Sequence, residues 1–269
     1  EVYGNNDQTK LFPDISVYKY DDLGKPSAFV GRLNGNNRSV FSFMNIPFLI
    51  YFYNNNWYYF NDQEQTRHHI NVESDGNFYD DQSEYYKFTS DSSSGIPIMF
   101  DNEQLFFNDV EDIWIYNSSD NKLYRDTKGR EEGRRYRLDK QWSWYPVNEI
   151  KNRDGLVLNW TSNMHKTQGI SLWIPGKGTE TILQDDAQYS SILRSDNFIT
   201  YIKQKASQPP TLYLFDLKNK EEKIIYQSNT NDADASQVMS DYFSWKNKNG
   251  ELRGAVVRFP KNYSSTQKY

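Results

Sequence analysis

The chain carries few side chains able to do covalent or metal chemistry, and their spacing does not bring them together. It has no cysteine, which removes disulfides, thiolate metal sites and a thiol nucleophile. Its three histidines are His68, His69 and His165. His68 and His69 are adjacent, so on a strand their rings point to opposite faces and do not easily share one ion. No Gly-x-Ser-x-Gly elbow is present to raise a serine nucleophile out of a strand-to-helix turn. Asn71-x-Glu73-x-Asp75-Gly76, followed by Gln82, echoes a calcium loop. Such a loop opens on Asp and closes on a bidentate Glu between two helices. This segment has Asn and Gln at those places and strand-like flanks, so it reads as a solvated insertion. Carboxylates are paired at Glu131-Glu132 and Glu221-Glu222. The first pair lies inside a basic run from Arg130 to Arg137 and reads as a self-paired, solvated turn; the second lies in a hairpin turn. The sequence therefore assigns no catalytic residue, no metal ligand and no cofactor, and it leaves substrate-binding residues open.

Composition narrows the classes. The 269 residues suffice for one large all-β domain or two smaller ones. With 21 Tyr, 16 Phe and 7 Trp the chain favours strands, and abundant Asn, Asp and Ser between the apolar runs favour turns. Tyrosine packs well but scores as polar, so the mean hydropathy of -0.90 does not signal disorder. A net charge of -5 argues against a nucleic-acid or anionic-membrane partner. No apolar run approaches the roughly 20 residues of a membrane span.

The elements that must position any site are short and paired. Leu49–Tyr53 precedes Trp57–Phe60, Leu105–Phe107 precedes Ile113–Tyr116, Leu156–Leu158 precedes Ile170–Ile174, and Phe198–Ile202 precedes Leu212–Phe215. A weaker first unit comprises Ile15–Tyr18, a turn at Gly24-Lys25-Pro26 and Ala28–Val30. With Val17, Tyr58, Trp114, Leu172 and Tyr213 as equivalent anchors, the spacings are 41, 56, 58 and 41 residues. Blade repeats of propellers run at about 40 to 50 residues. No helix-period stretch interrupts the pairs. The expectation is an all-β chain, a partial β-propeller of about four to five antiparallel four-stranded blades; a sandwich is the other candidate. Near the end, the stretch from Phe243 to Tyr263 reads as two strands joined by a tight Asn249-Gly250 turn, followed by a proline stop at Pro260.

Trp142-Ser143-Trp144 puts two aromatic rings on one strand face, which reads as packing between blades, or as a stacking surface for sugar or peptide if both rings are exposed. Asn37, Asn117, Asn159 and Asn262 each open an Asn-x-Ser/Thr sequon. In a chain so rich in Asn and Ser such sequons arise by chance and fix no compartment.

Several segments resemble the prolyl oligopeptidase family of serine peptidases, above all the large bacterial dipeptidyl-peptidase-like members. Asn108-Asp109-Val110-Glu111-Asp112-Ile113-Trp114 is similar to the polar-Asp turn before a strand in those propellers. Lys128-Gly129-Arg130 through Arg135-Tyr136-Arg137-Leu138 resembles the turn and strand that follow. Pro209-Pro210-Thr211-Leu212-Tyr213-Leu214-Phe215-Asp216-Leu217 resembles the recurring blade strand. Phe243 to Tyr263 looks like the hand-over from propeller to α/β-hydrolase domain. The resemblance extends over most of residues 14–269. It implies propeller blades over 1–235, hand-over strands over 236–269 and a hydrolase domain outside this chain, with the first blades of a seven- or eight-bladed ring outside it too. It further implies a periplasmic or secreted protein.

The role so implied is non-catalytic: the propeller admits short peptides to the hydrolase domain of its own parent chain and excludes folded proteins by size. A stand-alone propeller that binds a protein or glycan is the alternative. In the dipeptidyl-peptidase branch, propeller acids hold the substrate amine through charge-assisted hydrogen bonds. Glu131-Glu132 and Glu221-Glu222 lie outside the aromatic acidic motif of that branch, so the role is not carried over. An open set of blades exposes edges and apolar faces, which favours self-association of the chain. Because no triad is present, the purified chain is predicted to be inert on proline- and alanine-linked aminoacyl reporters. Turnover blocked by a serine-directed covalent inhibitor, in protein free of other proteases, would contradict this.

Overall fold

The computed structural model describes residues 2–4, 15–20, 26–33, 40–42, 48–53, 56–61, 66–70, 74–78, 98–99, 104–138, 155–163, 167–229, 239–250, 252–260 and 262–268. These residues form antiparallel sheets that follow chain order. Strands β1 (Val2–Gly4), β2 (Ile15–Tyr20) and β3 (Pro26–Leu33) make a three-stranded sheet. A four-stranded sheet follows, of β4 (Val40–Ser42), β5 (Phe48–Tyr53), β6 (Asn56–Asn61) and β7 (Thr66–His69). The next comprises β8 (Ile98–Met99), β9 (Gln104–Asn108), β10 (Ile113–Asn117) and β11 (Lys122–Arg125). A one-turn helix α1 (Gly129–Glu132) leads into β12 (Arg134–Leu138), β13 (Leu156–Ser162), β14 (Gln168–Ile174) and β15 (Gly178–Asp185). The last four-stranded sheet is β16 (Gln188–Ser195), β17 (Phe198–Lys205), β18 (Gln208–Asp216) and β19 (Glu221–Gln227). A hairpin of β20 (Ser240–Lys246) and β21 (Leu252–Arg258) closes the series.

This is the expected all-β architecture, a succession of four-stranded meanders of the propeller-blade type. Tyr58, Trp114, Leu172 and Tyr213 all lie on the third strand of their sheets. Their facing differs, however. Trp114 and Tyr213 are buried, whereas Tyr58 and Leu172 are half-buried and their neighbours Trp57 and Trp173 take the buried places. A shift of one residue turns a strand side chain to the other face, so a spacing read from sequence can be right in strand and wrong in phase.

The chain divides into two compact units, residues 1–128 with 145–152, and residues 129–144 with 153–269. In the first unit, aromatic residues hold the second and third sheets together. Trp57 lies 5.1 Å from Phe107 and 5.0 Å from Phe52, and Phe78 packs 5.5 Å from Trp114, in tilted or edge-on geometries. The turn between β9 and β10 buries Asp109 and Asp112 with their hydrogen bonds satisfied. Asp109 Oδ1 accepts the Glu111 and Asp112 amides at 2.8 and 2.5 Å, and Asp112 accepts from the Thr127 hydroxyl at 2.7 Å and from Arg125 at 3.2 Å.

In the second unit, β13 alternates buried Leu156, Leu158 and Trp160 with half-buried residues, as a half-covered strand should. Ile170 of β14 joins Ile199 and Tyr201 of β17 and Tyr213 and Phe215 of β18 in one core. Tyr189 and Ile192 of β16 enter the same core although they are three residues apart. The register of β16 on β17 shifts between Ser190 and Leu193, and Ser191 has φ of 51°, so a bulge resets the phase. Polar contacts also join these two sheets, the Lys220–Glu180 and Lys203–Asp185 ion pairs among them. Arg194 Nη1 donates to the Gly155 carbonyl, and the Tyr189 amide donates to Gln168 Oε1 at 3.1 Å.

The final hairpin corrects one expectation. Lys246 pairs with Leu252, so the connection has five residues rather than a two-residue Asn-Gly turn. The Gly250 amide donates to the Asn247 carbonyl at 2.9 Å and Gly250 has φ of 82°, a four-residue turn ending on a left-handed glycine.

Gly169 lies against the Trp160 ring, where an added Cβ would fall 2.3 Å from the ring and 2.4 Å from the Leu183 carbonyl oxygen. Gly169→Ala is therefore predicted to destabilise by about 1–3 kcal/mol, and Trp173→Ala by about 3–5 kcal/mol. Trp245→Ala, at a half-exposed ring, should stay within about 0.5 kcal/mol. Urea midpoints in which Gly169→Ala matches the parent chain would contradict this packing.

Candidate functional site

Antiparallel alternation places particular connections at a common end of the fourth and fifth sheets: α1, the β13–β14 connection, the β15–β16 turn at Asp186-Ala187 and the β17–β18 turn at Ala206-Ser207. The Gln168–Tyr189 bond ties the two sheets at this end. Polar side chains concentrate here.

The first cluster fixes α1. Tyr136 is buried, and its hydroxyl donates to Glu132 Oε2 at 2.5 Å. Arg134 Nη1 lies 3.3 Å from the same carboxylate, and it donates to Tyr136 Oη at 3.2 Å and to Thr181 Oγ1 at 3.0 Å. The guanidinium sits 4.0 Å above the Trp160 ring. Burial, and then the bond to anionic Glu132, push the Tyr136 phenol above its ordinary value. The basic run is thus paired at Arg134 with the acid beside it. Glu132 is engaged from within the protein, which sets it apart from an acid left open for a substrate amine.

The second cluster is a tyrosine ladder. Tyr189, Tyr201 and Tyr213 stand side by side across β16, β17 and β18 with centroid separations of 5.6 and 5.5 Å. The Tyr201 hydroxyl donates to Glu222, the second residue of β19, so this acid caps the ladder rather than standing in a turn. Lys203 Nζ is 2.7 Å from Asp185 Oδ2 and lies 5.8 and 5.9 Å from the Tyr189 and Tyr213 ring centres. Burial pushes Tyr189 up to about 12, and burial with the Glu222 bond pushes Tyr201 higher still. The Lys203 bond holds Asp185 below its ordinary value against the opposing effect of burial. Burial works to lower Lys203, but the bond to Asp185 and the Tyr189 field outweigh it and leave Lys203 raised.

Between the β15–β16 turn, the β17–β18 turn and the start of β20 lies a groove of about 820 Å³. Four glutamines line it, Gln168, Gln188, Gln204 and Gln208, together with Lys205, Asp186, Pro209 and Pro210. Gln204 Nε2 lies 2.7 Å from Gln188 Oε1, and Gln208 Nε2 lies 2.8 Å from Tyr213 Oη. Little in the sequence marks these glutamines, because polar residues beside turns are the default on any surface. The one visible signal was Gln204 and Gln208 bracketing a turn.

The residues singled out from sequence lie elsewhere. His69 stacks on Tyr58 at 4.7 Å and His68 on Tyr59 at 4.4 Å, each strand neighbour on its own side. Both rings are half-buried rather than open on the surface. Gly76 of the calcium-like run abuts the Phe78 and Trp114 rings, so packing accounts for that glycine. Asn71, Glu73, Gln82, His165 and Trp142–Trp144 lie outside the described residues. Among the described residues, no group of three His, Asp or Glu could hold a metal ion.

No family model and no curated protein matches the sequence. Solved structures do match in shape. A Bacteroides ovatus protein assigned as a dipeptidyl aminopeptidase IV is similar over 100% of this chain and 43% of its own, at 11% identity and a TM-score of 0.61. A prolyl endopeptidase is similar over 98% of this chain and 40% of its own, at 8% identity and TM-score 0.49. Porphyromonas gingivalis dipeptidyl peptidase 4 is similar over 100% and 56%, at 10% identity and TM-score 0.43. The first likeness shows the fold; the other two are too distant to carry an argument. The chain spans less than half the length of that first structure.

The Lys203–Asp185 pair gives a pH test. Asp185 has a lowered folded-state pKa, so its contribution is present above the unfolded value and lost as pH falls through the lowered one, below about pH 4. Lys203 is raised, so its contribution is present below the ordinary lysine value and lost only as pH rises through the raised one. Asp185→Asn is predicted to cost about 0.5–1 kcal/mol at pH 7 for this partly exposed pair, and the gap from the parent should close below pH 4. A gap that stays constant from pH 7 to pH 3 in urea titrations would contradict the assignment.

Proposed function

We propose that this chain is the non-catalytic β-propeller segment of a serine peptidase of the prolyl oligopeptidase family. In this reading residues 236–269 lead toward a hydrolase domain that the longer protein carries. The blades stand over the active cleft and admit short or unfolded peptides while excluding folded proteins by size. The observation that carries the reading is the fold likeness over the whole chain to a protein assigned as a dipeptidyl aminopeptidase IV, a chain more than twice as long. The ordered sequence resemblances point the same way.

The β20–β21 hairpin supports it as well. Phe243, Trp245, Val256 and Val257 are 47%, 50%, 69% and 40% exposed on a sheet that has two strands among the described residues. Such a hairpin is marginal alone and normally needs further strands or a covering element.

Reading the gene past Tyr269 tests the proposal directly. The expected result is an open frame with a Gly-x-Ser-x-Gly downstream, followed by Asp and His. The full-length enzyme should then cleave a short unstructured peptide and spare the same sequence inside a folded protein. A stop codon directly after Tyr269 would overturn the reading in favour of a stand-alone binding propeller. Equal cleavage of the folded substrate would overturn the gating role.

A further inference from the structure

The glutamine-lined groove has unspent hydrogen-bonding capacity of a particular kind. Gln168 Oε1 accepts the Tyr189 amide, which fixes its orientation and leaves its amino group without a partner among the described residues. Gln188 and Gln204 bond to each other, and whichever way that pair is turned, one carbonyl and one amino group remain. Gln208 spends its amino group on Tyr213 and keeps its carbonyl. The groove thus offers two amide donors and two amide acceptors on side chains already anchored at their other end, which lowers the entropic cost of using them.

The charges in the groove are one of each sign, Lys205 and Asp186, so it has no net attraction for a polyanion. Its apolar lining comes from Ala, Pro, Met and Val, with no aromatic ring on which a sugar could stack. Its volume falls within the range of about 300–1,000 Å³ usual for ligand sites.

A ligand that satisfies alternating donors and acceptors and carries little charge is an extended polypeptide main chain. We propose that this groove binds a short, uncharged stretch of extended polypeptide, held chiefly through its main-chain amides. The proposal deepens the peptidase-propeller reading and rests on it for the identity of the peptide as substrate. Because main-chain groups carry the contact, the site tolerates many sequences. Pro209 and Pro210 offer only apolar contact to passing side chains.

The test uses the 15N-labelled full chain and follows the side-chain amino signals of Gln168 and Gln188. The probe is an N-acetylated, C-amidated hexapeptide of Ala and Thr. The same peptide with alternate amides N-methylated serves as one control and maltohexaose as another. The expected result is a saturable shift of both signals with the unmodified peptide. Affinity should fall by about tenfold or more on N-methylation, and likewise in the double variant Gln188→Leu/Gln204→Leu. Ala206→Trp, at the exposed turn on the groove rim, blocks the groove without touching the glutamine pair and covers the case in which the double variant fails to fold.

A peptide that gives no saturable shift, that binds equally well when N-methylated, or that keeps its affinity in the folded variants would overturn the proposal. A response to maltohexaose and not to peptide would make this a sugar site instead. These outcomes concern the groove alone. The gene downstream of Tyr269 answers separately for the peptidase reading, so failure of one is distinguishable from failure of the other.

Discussion

A four-stranded sheet with apolar side chains on both faces is stable only if something covers both. β9 and β10 have nearly every side chain buried, on both faces, and neither could stand as the skin of a two-layer sandwich. Within each unit, contact between neighbouring sheets supplies cover, much of it from aromatic rings. Trp57 against Phe107 in one unit and the tyrosine ladder beside Ile170 in the other solve the same problem with different residues. This requirement fits the succession of sheets in chain order. It also explains the charge pattern. Polar groups are displaced to the strand ends, where α1, the turn glutamines and the Lys203–Asp185 pair collect.

Where one residue spacing served both strand geometry and packing, the sequence was readable. Leu156, Leu158 and Trp160 alternate and are buried as alternation requires. Phase was harder. Tyr58 and Leu172 lie on the expected strands, yet Trp57 and Trp173 beside them fill buried places: the run Trp57-Tyr58-Tyr59 has no polar residue to mark the outer face, and beside Leu172 the polar Ser171 is itself buried. The β16 bulge at Ser190–Leu193 was invisible for a related reason. It places Tyr189 and Ile192 on one face across an odd interval, and no local residue type announces it. At Asn249-Gly250 the dipeptide pointed to a turn correctly, but strand pairing set a longer connection than the dipeptide alone suggests.

The polar features were legible only as categories. Glu132 was visible as one of two acids in a basic run, while its engagement by Tyr136 and Arg134 depends on a strand that returns over Trp160. Glu222 was visible as a turn acid, while its role as the cap on Tyr201 needs the third dimension. The glutamine groove joins residues from β14, β16, β17 and β18, and no linear spacing encodes such a meeting. Fold was therefore readable from repetition, whereas the site was not, because repetition concerns what blades share and a site lies where they differ.

The polar links between the fourth and fifth sheets have a mechanical consequence. Arg194 with the Gly155 carbonyl and Lys220 with Glu180 form one group, Gln168 with the Tyr189 amide and Lys203 with Asp185 the other. They sit at opposite ends of the same pair of packed sheets. Greasy contact resists separation of two surfaces but hardly opposes their sliding or pivoting. A single pin would still permit rotation about itself; two pins far apart do not. The pair is thereby braced like a doubly bolted plate, and load applied at one rim reaches the other with little loss.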